Sequence, residues 1–189
     1  MGLEIKNTVH SPLLEKYLME LAISASGDRP ILDLACGGGR NGRYLAEQGL
    51  PVCFADRNRE ALATIESELV SSDLRQPPTY WPVDFEQPDS TPLQGKHFGG
   101  ILVFRYLHRP LLPAIADALV PGGILVYETF TVEHAAFGKP SNPDFLLQPG
   151  ELEERFPHWE YLHRFEGIAQ SETGGRQQAI AQLVARKPA

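Results

Sequence analysis

Apolar runs bounded by turn residues alternate with stretches of helical period along most of the chain, the pattern of parallel strands joined by crossover helices. Five short, almost wholly apolar runs predict strands at Ile31–Leu34, Val52–Ala55, Tyr80–Val83, Ile101–Phe104 and Ile124–Tyr127, as expected of strands covered on both faces. Between them the spacing predicts helices over Asn41–Gln48, closed by Gly49, over Arg59–Val70, with Asn58 as cap, and over Leu111–Val120, closed by Pro121-Gly122-Gly123. A further helix, Pro12–Ile23, precedes the first strand, with Ser11 as its cap. After the fifth strand the pattern changes. Thr129–Pro149 has no clean period and carries Gly138, Pro140, Pro143 and Pro149, so it reads as a long functional loop. A short helix is expected at Glu151–Phe156. The strand candidates Glu160–Phe165 and Ala179–Ala185 are separated by the turn segment Ser171–Arg176, too short for a crossover helix, so they should pair as an antiparallel hairpin. The predicted class is α/β: a Rossmann-like, doubly wound sheet of seven strands with helices on both faces and a C-terminal antiparallel hairpin. Residues 1–27 are expected to form an N-terminal helical lid and residues 28–189 the single main domain.

Composition narrows the partners more than the fold. A chain of 189 residues, 42% hydrophobic and 22% charged, is ordinary globular usage and suits one domain. No run approaches the roughly 18 apolar residues of a membrane span, and Met1–Ser11 lacks a basic segment leading into an apolar stretch. A cytoplasmic protein without membrane attachment is the expectation. Cys36 and Cys53 lack the spacing of a zinc site or disulfide framework, so reduced thiols and no metal are expected. The net charge of −7 argues against long polyanionic partners such as nucleic acid.

The strongest chemical signal lies where the first strand runs out, in Asp33-Leu34-Ala35-Cys36-Gly37-Gly38-Gly39-Arg40-Asn41-Gly42. Glycines between a strand and a helix let the backbone turn sharply and approach a ligand closely. Gly37, Gly39 and Gly42 also satisfy GxGxxG, the dinucleotide fingerprint, so spacing alone leaves both a dinucleotide and another nucleoside open. Asp33 separates them: a diphosphate would be repelled by a carboxylate there, whereas an amine or sulfonium would be attracted. Asp56 ends the second strand, at the distance of about 20 residues where an acid holds ribose hydroxyls in such folds. Asp84-Phe85 follows the third strand, offering an acceptor for an exocyclic amine and an aromatic face. Acids at three consecutive strand ends converge on the crevice where open α/β sheets bind ligands.

On these residues the chain resembles the class I S-adenosylmethionine-dependent methyltransferases, over Asp28–Phe130 and the terminal hairpin, and it is most similar to the small single-domain bacterial enzymes related to the tellurite-resistance methyltransferases. Asp33 to Gly39 matches the family's first motif, Asp56 its ribose acid, Asp84 its adenine acid and Leu119-Val120-Pro121-Gly122-Gly123 its turn before the fifth strand. The hairpin matches its closing antiparallel strand, which a dehydrogenase would not carry. The resemblance implies S-adenosylmethionine as cofactor, with S-adenosylhomocysteine as product. Ala35, Gly37 and Gly39 would pass close to the methionine part and Asp33 near its amine. Asp56 would hold the ribose, and Asp84 with Phe85 the adenine, with Phe104 completing the cofactor set. Arg57 replaces the usual apolar ring contact and would stack its plane instead.

In-line methyl transfer from a sulfonium needs positioning more than a catalytic triad, and a base only where the acceptor arrives protonated. Tyr106 and His108 after the fourth strand and Glu128 at the fifth are the catalytic candidates, with His134 nearby. Arg105 and Arg109 suggest an anionic small-molecule acceptor. Phe104-Arg105-Tyr106-Leu107 lacks the Asn-Pro-Pro-Tyr pattern of amino-methylating enzymes acting on adenine or glutamine. Two further readings remain at this stage: a nicotinamide-dependent oxidoreductase and a non-catalytic cofactor-binding module. The segment Phe137–Pro143 and the Pro12–Ile23 helix are expected to close over the crevice.

Overall fold

The computed structural model describes residues 9–70, 72–171 and 174–189. Residues 1–8 of the expected lid, and Glu172 and Thr173 of the expected hairpin turn, lie outside the described residues.

Seven strands form one sheet: β1 (Ile31–Leu34), β2 (Val52–Asp56), β3 (Thr79–Pro82), β4 (Phe98–Phe104), β5 (Leu119–Phe130), β6 (Glu160–Gln170) and β7 (Gln177–Arg186). Their spatial order is β3-β2-β1-β4-β5-β7-β6. The first five pair in parallel, with Ile31 opposite Val52 on one side and Gly100 on the other. β7 runs antiparallel to β5, with Glu128 opposite Gln182, and β6 antiparallel to β7. The expected Rossmann-like sheet with its closing hairpin is therefore the fold observed. Alternation along the strands sends side chains to opposite faces. Ile31, Val52, Phe54, Leu102 and Val126 pack under α1 (Pro12–Lys16), α2 (Leu18–Ser24), α3 (Arg40–Glu47) and α4 (Arg59–Leu69). Leu34, Ala55, Val103, Leu125 and Tyr127 pack under α5 (Leu112–Ala118) and α6 (Glu151–Arg155). No helix among the described residues is long and apolar enough to cross a membrane.

The boundaries differ from the sequence expectation where tertiary contacts outrank local pattern. The Pro12–Ile23 helix is two pieces, broken at Tyr17, whose φ of −114° and ψ of 22° leave the helical well. The buried Tyr17 ring spans to the sheet and its hydroxyl donates to Leu162 O at 3.0 Å. β4 begins at Phe98, three residues before the expected Ile101, because Gly99 and Gly100 lie in the sheet beneath α2, with Leu21 close to Gly100. The expected Leu111–Val120 helix stops at Ala118, because Leu119 already pairs with Phe98 in the sheet.

The loop after β5 is more anchored than its composition suggests. Leu147 N–H donates to Phe130 O at 2.9 Å and Val132 N–H to Leu147 O at 3.0 Å, so its two ends are stitched together while Leu146 and Leu147 are buried. Arg109 clamps the same segment. Its guanidinium meets both oxygens of Glu151, at 2.7 and 2.8 Å, and donates to the carbonyls of Asp144 and Leu146 at 2.9 and 2.8 Å. Glu151 is buried, and the hydrogen bonds from Arg109 hold its carboxyl below the usual value of 4.5. Removing one partner of such a pair strands the other charge. Arg109→Ala should therefore lower the unfolding free energy in urea by about 2 to 4 kcal/mol at pH 7. A carboxyl with a depressed folded value stabilises above its unfolded value and loses that contribution on acidification, so the gap between variant and parent should shrink as the pH falls below 4.5. A constant gap, or one under about 0.5 kcal/mol, the scale of an ordinary surface substitution, would remove Arg109 from this role.

Candidate functional site

The crevice is built by what each parallel strand does at its carboxyl end. β1 runs into a turn in which Ala35, Gly37 and Gly39 all take positive φ, 51°, 55° and 69°. For Ala35 this left-handed conformation costs about 1 to 2 kcal/mol, strain of the kind found at binding sites. Gly39 is fixed twice over, by its φ and because a Cβ there would lie 2.6 Å from Ile65 Cδ1. At Gly37 the space is open, so the surface beside that amide is free for a ligand's close approach.

Three aspartates knit the rim together. Asp33 is 3% exposed and lies beneath the turn, where Oδ2 accepts the Gly42 N–H at 2.9 Å in the first turn of α3. Burial raises its carboxyl to about 7, against the lowering effect of that hydrogen bond. Asp56 at the end of β2 accepts the Gly37 N–H at 2.8 Å through Oδ2 and the Asn58 N–H at 2.8 Å through Oδ1. Asp84 is exposed and accepts the Glu86 N–H at 2.9 Å.

A cavity of about 240 Å³ opens between these strand ends, lined by Ala35, Asp56, Arg57, Val83, Asp84, Phe85, Glu86, Arg105 and Tyr106. It brings together Ala35, Asp56, Arg57, Asp84 and Phe85 of the residues expected to hold a cofactor. Phe85 is mostly a core residue, buried and edge-on to Trp81 with ring centres 5.7 Å apart. Gly37 joins the rim through its bond to Asp56, and Asp33, Gly39 and Phe104 stand behind it rather than in its lining. The sequence reading missed Glu86, whose signal was present as a second acid two positions after Asp84. Tyr106 belongs to this cavity, and its hydroxyl oxygen is buried without a well-formed hydrogen bond. Burial and then the Glu86 carboxylate push its phenol up, so it stays protonated. Burial likewise pushes the Cys36 thiol up, with Asp33 adding to it, so it stays a thiol.

This arrangement has counterparts in known proteins. A sequence profile described as a methyltransferase domain matches residues 10–176. The chain belongs to the methyltransferase domain family. It is 25% identical over 169 residues to the probable S-adenosyl-L-methionine-dependent methyltransferase TehB of two Haemophilus influenzae strains, an alignment covering 83% of this chain and 57% of the relative. The chain thus spans little more than half the length of that relative. Among solved structures, TehB from Haemophilus influenzae superposes with a TM-score of 0.74 at 21% identity, over 96% of this chain and 63% of that one. A SAM-dependent methyltransferase from Methanosarcina mazei gives 0.68 at 16% identity, over 95% and 99%. Magnesium protoporphyrin IX methyltransferase of Synechocystis, solved with bound SAH, gives 0.64 at 13%, over 93% and 80%. These neighbours share the class I fold.

Within this methyltransferase domain the remaining candidates are scattered. His108 faces another cavity, between the β3–β4 connection and α5. Glu128 is 1% exposed and sits in a buried network, accepting from Gln182 Nε2 at 2.5 Å and paired with Arg105 Nη2 at 3.0 Å. The Arg105 guanidinium also lies 4.5 Å over the Phe130 ring. His134 stacks on Phe130 at 3.9 Å with both ring nitrogens engaged, Nδ1 accepting the Ala179 N–H at 3.3 Å and Nε2 donating to Lys139 O at 3.2 Å.

Burial of Asp33 beneath the turn makes the stability of the fold pH-dependent. A carboxyl whose folded value lies above its unfolded one favours the fold at low pH, and its contribution is lost as pH rises from 3.8 through about 7. The full offset is worth about 4 kcal/mol. Asp33→Asn keeps an oxygen for the Gly42 amide and removes the charge. It should raise the melting temperature relative to the parent at pH 8, and by less than half as much at pH 5. An equal effect at both pH values would mean that Asp33 ionises without cost.

Proposed function

We propose that the chain transfers a methyl group from S-adenosylmethionine to a small acceptor, and the observation that carries this reading is the acidic cavity beside a turn whose Gly37 amide is already held by Asp56. A diphosphate binds through unengaged turn amides and a positive helix end. Here one of those amides is taken by a carboxylate, with Asp84 and Glu86 facing the same space. The oxidoreductase reading of GxGxxG therefore lacks an anion cradle.

The residues present suit the nucleoside and the amino acid of the donor. Each Asp56 oxygen keeps a lone pair for a ribose hydroxyl, and Asp84 and Glu86 can accept from the adenine amine. The Tyr106 hydroxyl, without a well-formed bond, would be satisfied by an adenine ring nitrogen. Arg57 would stack its plane on the base while Phe85 walls it. Ala35, Gly37 and Gly39 would flank the methionine part, with Asp33 supporting them from below and Phe104 from the end of β4. Bound there, S-adenosylmethionine supplies a methyl group already activated on sulfur.

The chain's own contribution is orientation and exclusion of water, and holding reactants in line can account for about 7 to 11 kcal/mol of a barrier. Glu128 and His134 are engaged in structure, and His108 opens elsewhere, so the acceptor is read as a molecule that presents its own lone pair. An anionic acceptor draws less support than the sequence suggested, because Arg105 and Arg109 both have carboxylate partners. The N-terminal segment and Phe137–Pro143 would shut the crevice during transfer. A non-catalytic module would bind the cofactor identically and is told apart by turnover.

In calorimetry with S-adenosylhomocysteine, Asp56→Ala and Asp84→Ala should each weaken binding by about 1.5 to 3 kcal/mol, the range for hydrogen bonds to charged groups. NAD should give no thermal shift where S-adenosylhomocysteine gives one. A labelled-methyl screen of cell-extract fractions then reads out the acceptor. Unchanged affinity in both variants, or stabilisation by NAD alone, would overturn the assignment.

A further inference from the structure

In a doubly wound sheet each parallel crossover normally lays a helix on the sheet, and here α3, α4 and α5 do so for β1–β2, β2–β3 and β4–β5. The β3–β4 crossover is the exception. Residues 83–97, all described, form turns without a helix, and beside them lies a cavity of about 580 Å³, more than twice the volume of the cofactor cavity. That size falls within the range of small-molecule sites. Its apolar lining comes from Phe85, Leu93, Leu111, Ala114 and Ala118, contributed by the connection on one side and by α5 and the turn before it on the other.

The polar groups around this floor are unbalanced in sign. Glu86, Asp89 and Asp117 stand at its edge against Lys96. The Lys96 ammonium is drawn aside over the Trp81 ring, 4.9 Å from its centre. His108 is half-buried and lines the cavity, and among the described residues its imidazole makes no hydrogen bond. An apolar hollow with a net negative rim and an unused imidazole matches a molecule with an apolar body and a positively charged, hydrogen-bond-donating end.

We propose that this cavity is a second ligand site, for a small amine with an aromatic or aliphatic body, its ammonium directed at Asp117 and His108 and its body against Ala114 and Leu111. Phe85 and Glu86 line both cavities, so the site adjoins the proposed cofactor pocket without depending on it.

Thermal-shift and calorimetric titration of the full chain with 2-phenylethylamine, 2-phenylethanol and phenylacetate at millimolar concentration tests the assignment. The amine should stabilise the protein, the alcohol less, and the carboxylate not at all. Asp117→Asn, an exposed substitution that leaves the fold intact, should weaken the amine about fivefold. Ala114→Phe, which fills the hollow, should abolish binding. Equal stabilisation by amine and carboxylate, no stabilisation by the amine, or unaltered amine affinity in Asp117→Asn would each overturn the proposal. S-adenosylhomocysteine titrated in parallel keeps the two readings apart, since its failure to bind would sink the cofactor assignment and not this one.

Discussion

Where parallel strands run out and helices begin, backbone amides lack ladder partners and need other acceptors. In this protein aspartate side chains supply those acceptors: Asp33 for Gly42, Asp56 for Gly37 and Asn58, Asp84 for Glu86. The same constraint that closes the turns thus lines the open end of the sheet with carboxylates. Turn geometry, helix entry and the electrostatic character of the crevice follow from one set of bonds. The strained φ of Ala35 persists because it is held between β1 and a turn tied to β2 on its far side.

Charge is handled differently beyond β4, around β5 and β7. There the ionisable groups are consumed in pairs and networks. Arg109 is spent on Glu151 and two carbonyls, Arg105 on Glu128 and the Phe130 ring, and Glu128 also on Gln182 of β7. The closing hairpin consequently does more than cap the sheet. Its central strand supplies Gln182 and the Ala179 amide, which hold Glu128 and His134 in their places. Side chains that look like acid–base chemistry when read one at a time become, in three dimensions, the fittings of a rigid wall.

That contrast explains which parts of the molecule were legible in the sequence. β1 is bounded as predicted because its four residues are buried on both faces and flanked by proline and the glycine turn. The acids at strand ends were legible because strand termini fix where the next side chain falls, so Asp56 and Asp84 land in one cavity with Arg57 and Phe85. The surroundings of Glu128 and His134 were not legible because their partners come from elsewhere in the chain, Gln182 and Ala179 lying more than forty residues away, and nothing near His108 in sequence reports the cavity it lines. The Tyr17 break was invisible for the same reason, since nothing near it in sequence reports the Leu162 carbonyl.

The two-piece N-terminal helix carries a mechanical consequence. Ser11 N–H reaches Asn41, His10 stacks on Tyr44 at 3.7 Å, and α1 thereby rides on α3, whereas α2 is bedded on β4 and β5 and Tyr17 is moored to β6. The leading piece is seated as firmly as its continuation, because Leu13 and Leu14 are buried in the same core as Leu21 of α2. Lifting it from α3 would expose two leucines as well as break the ring pair and the Ser11–Asn41 bond, so the break at Tyr17 turns the chain without loosening it, and the glycine turn keeps a fixed neighbour on that side.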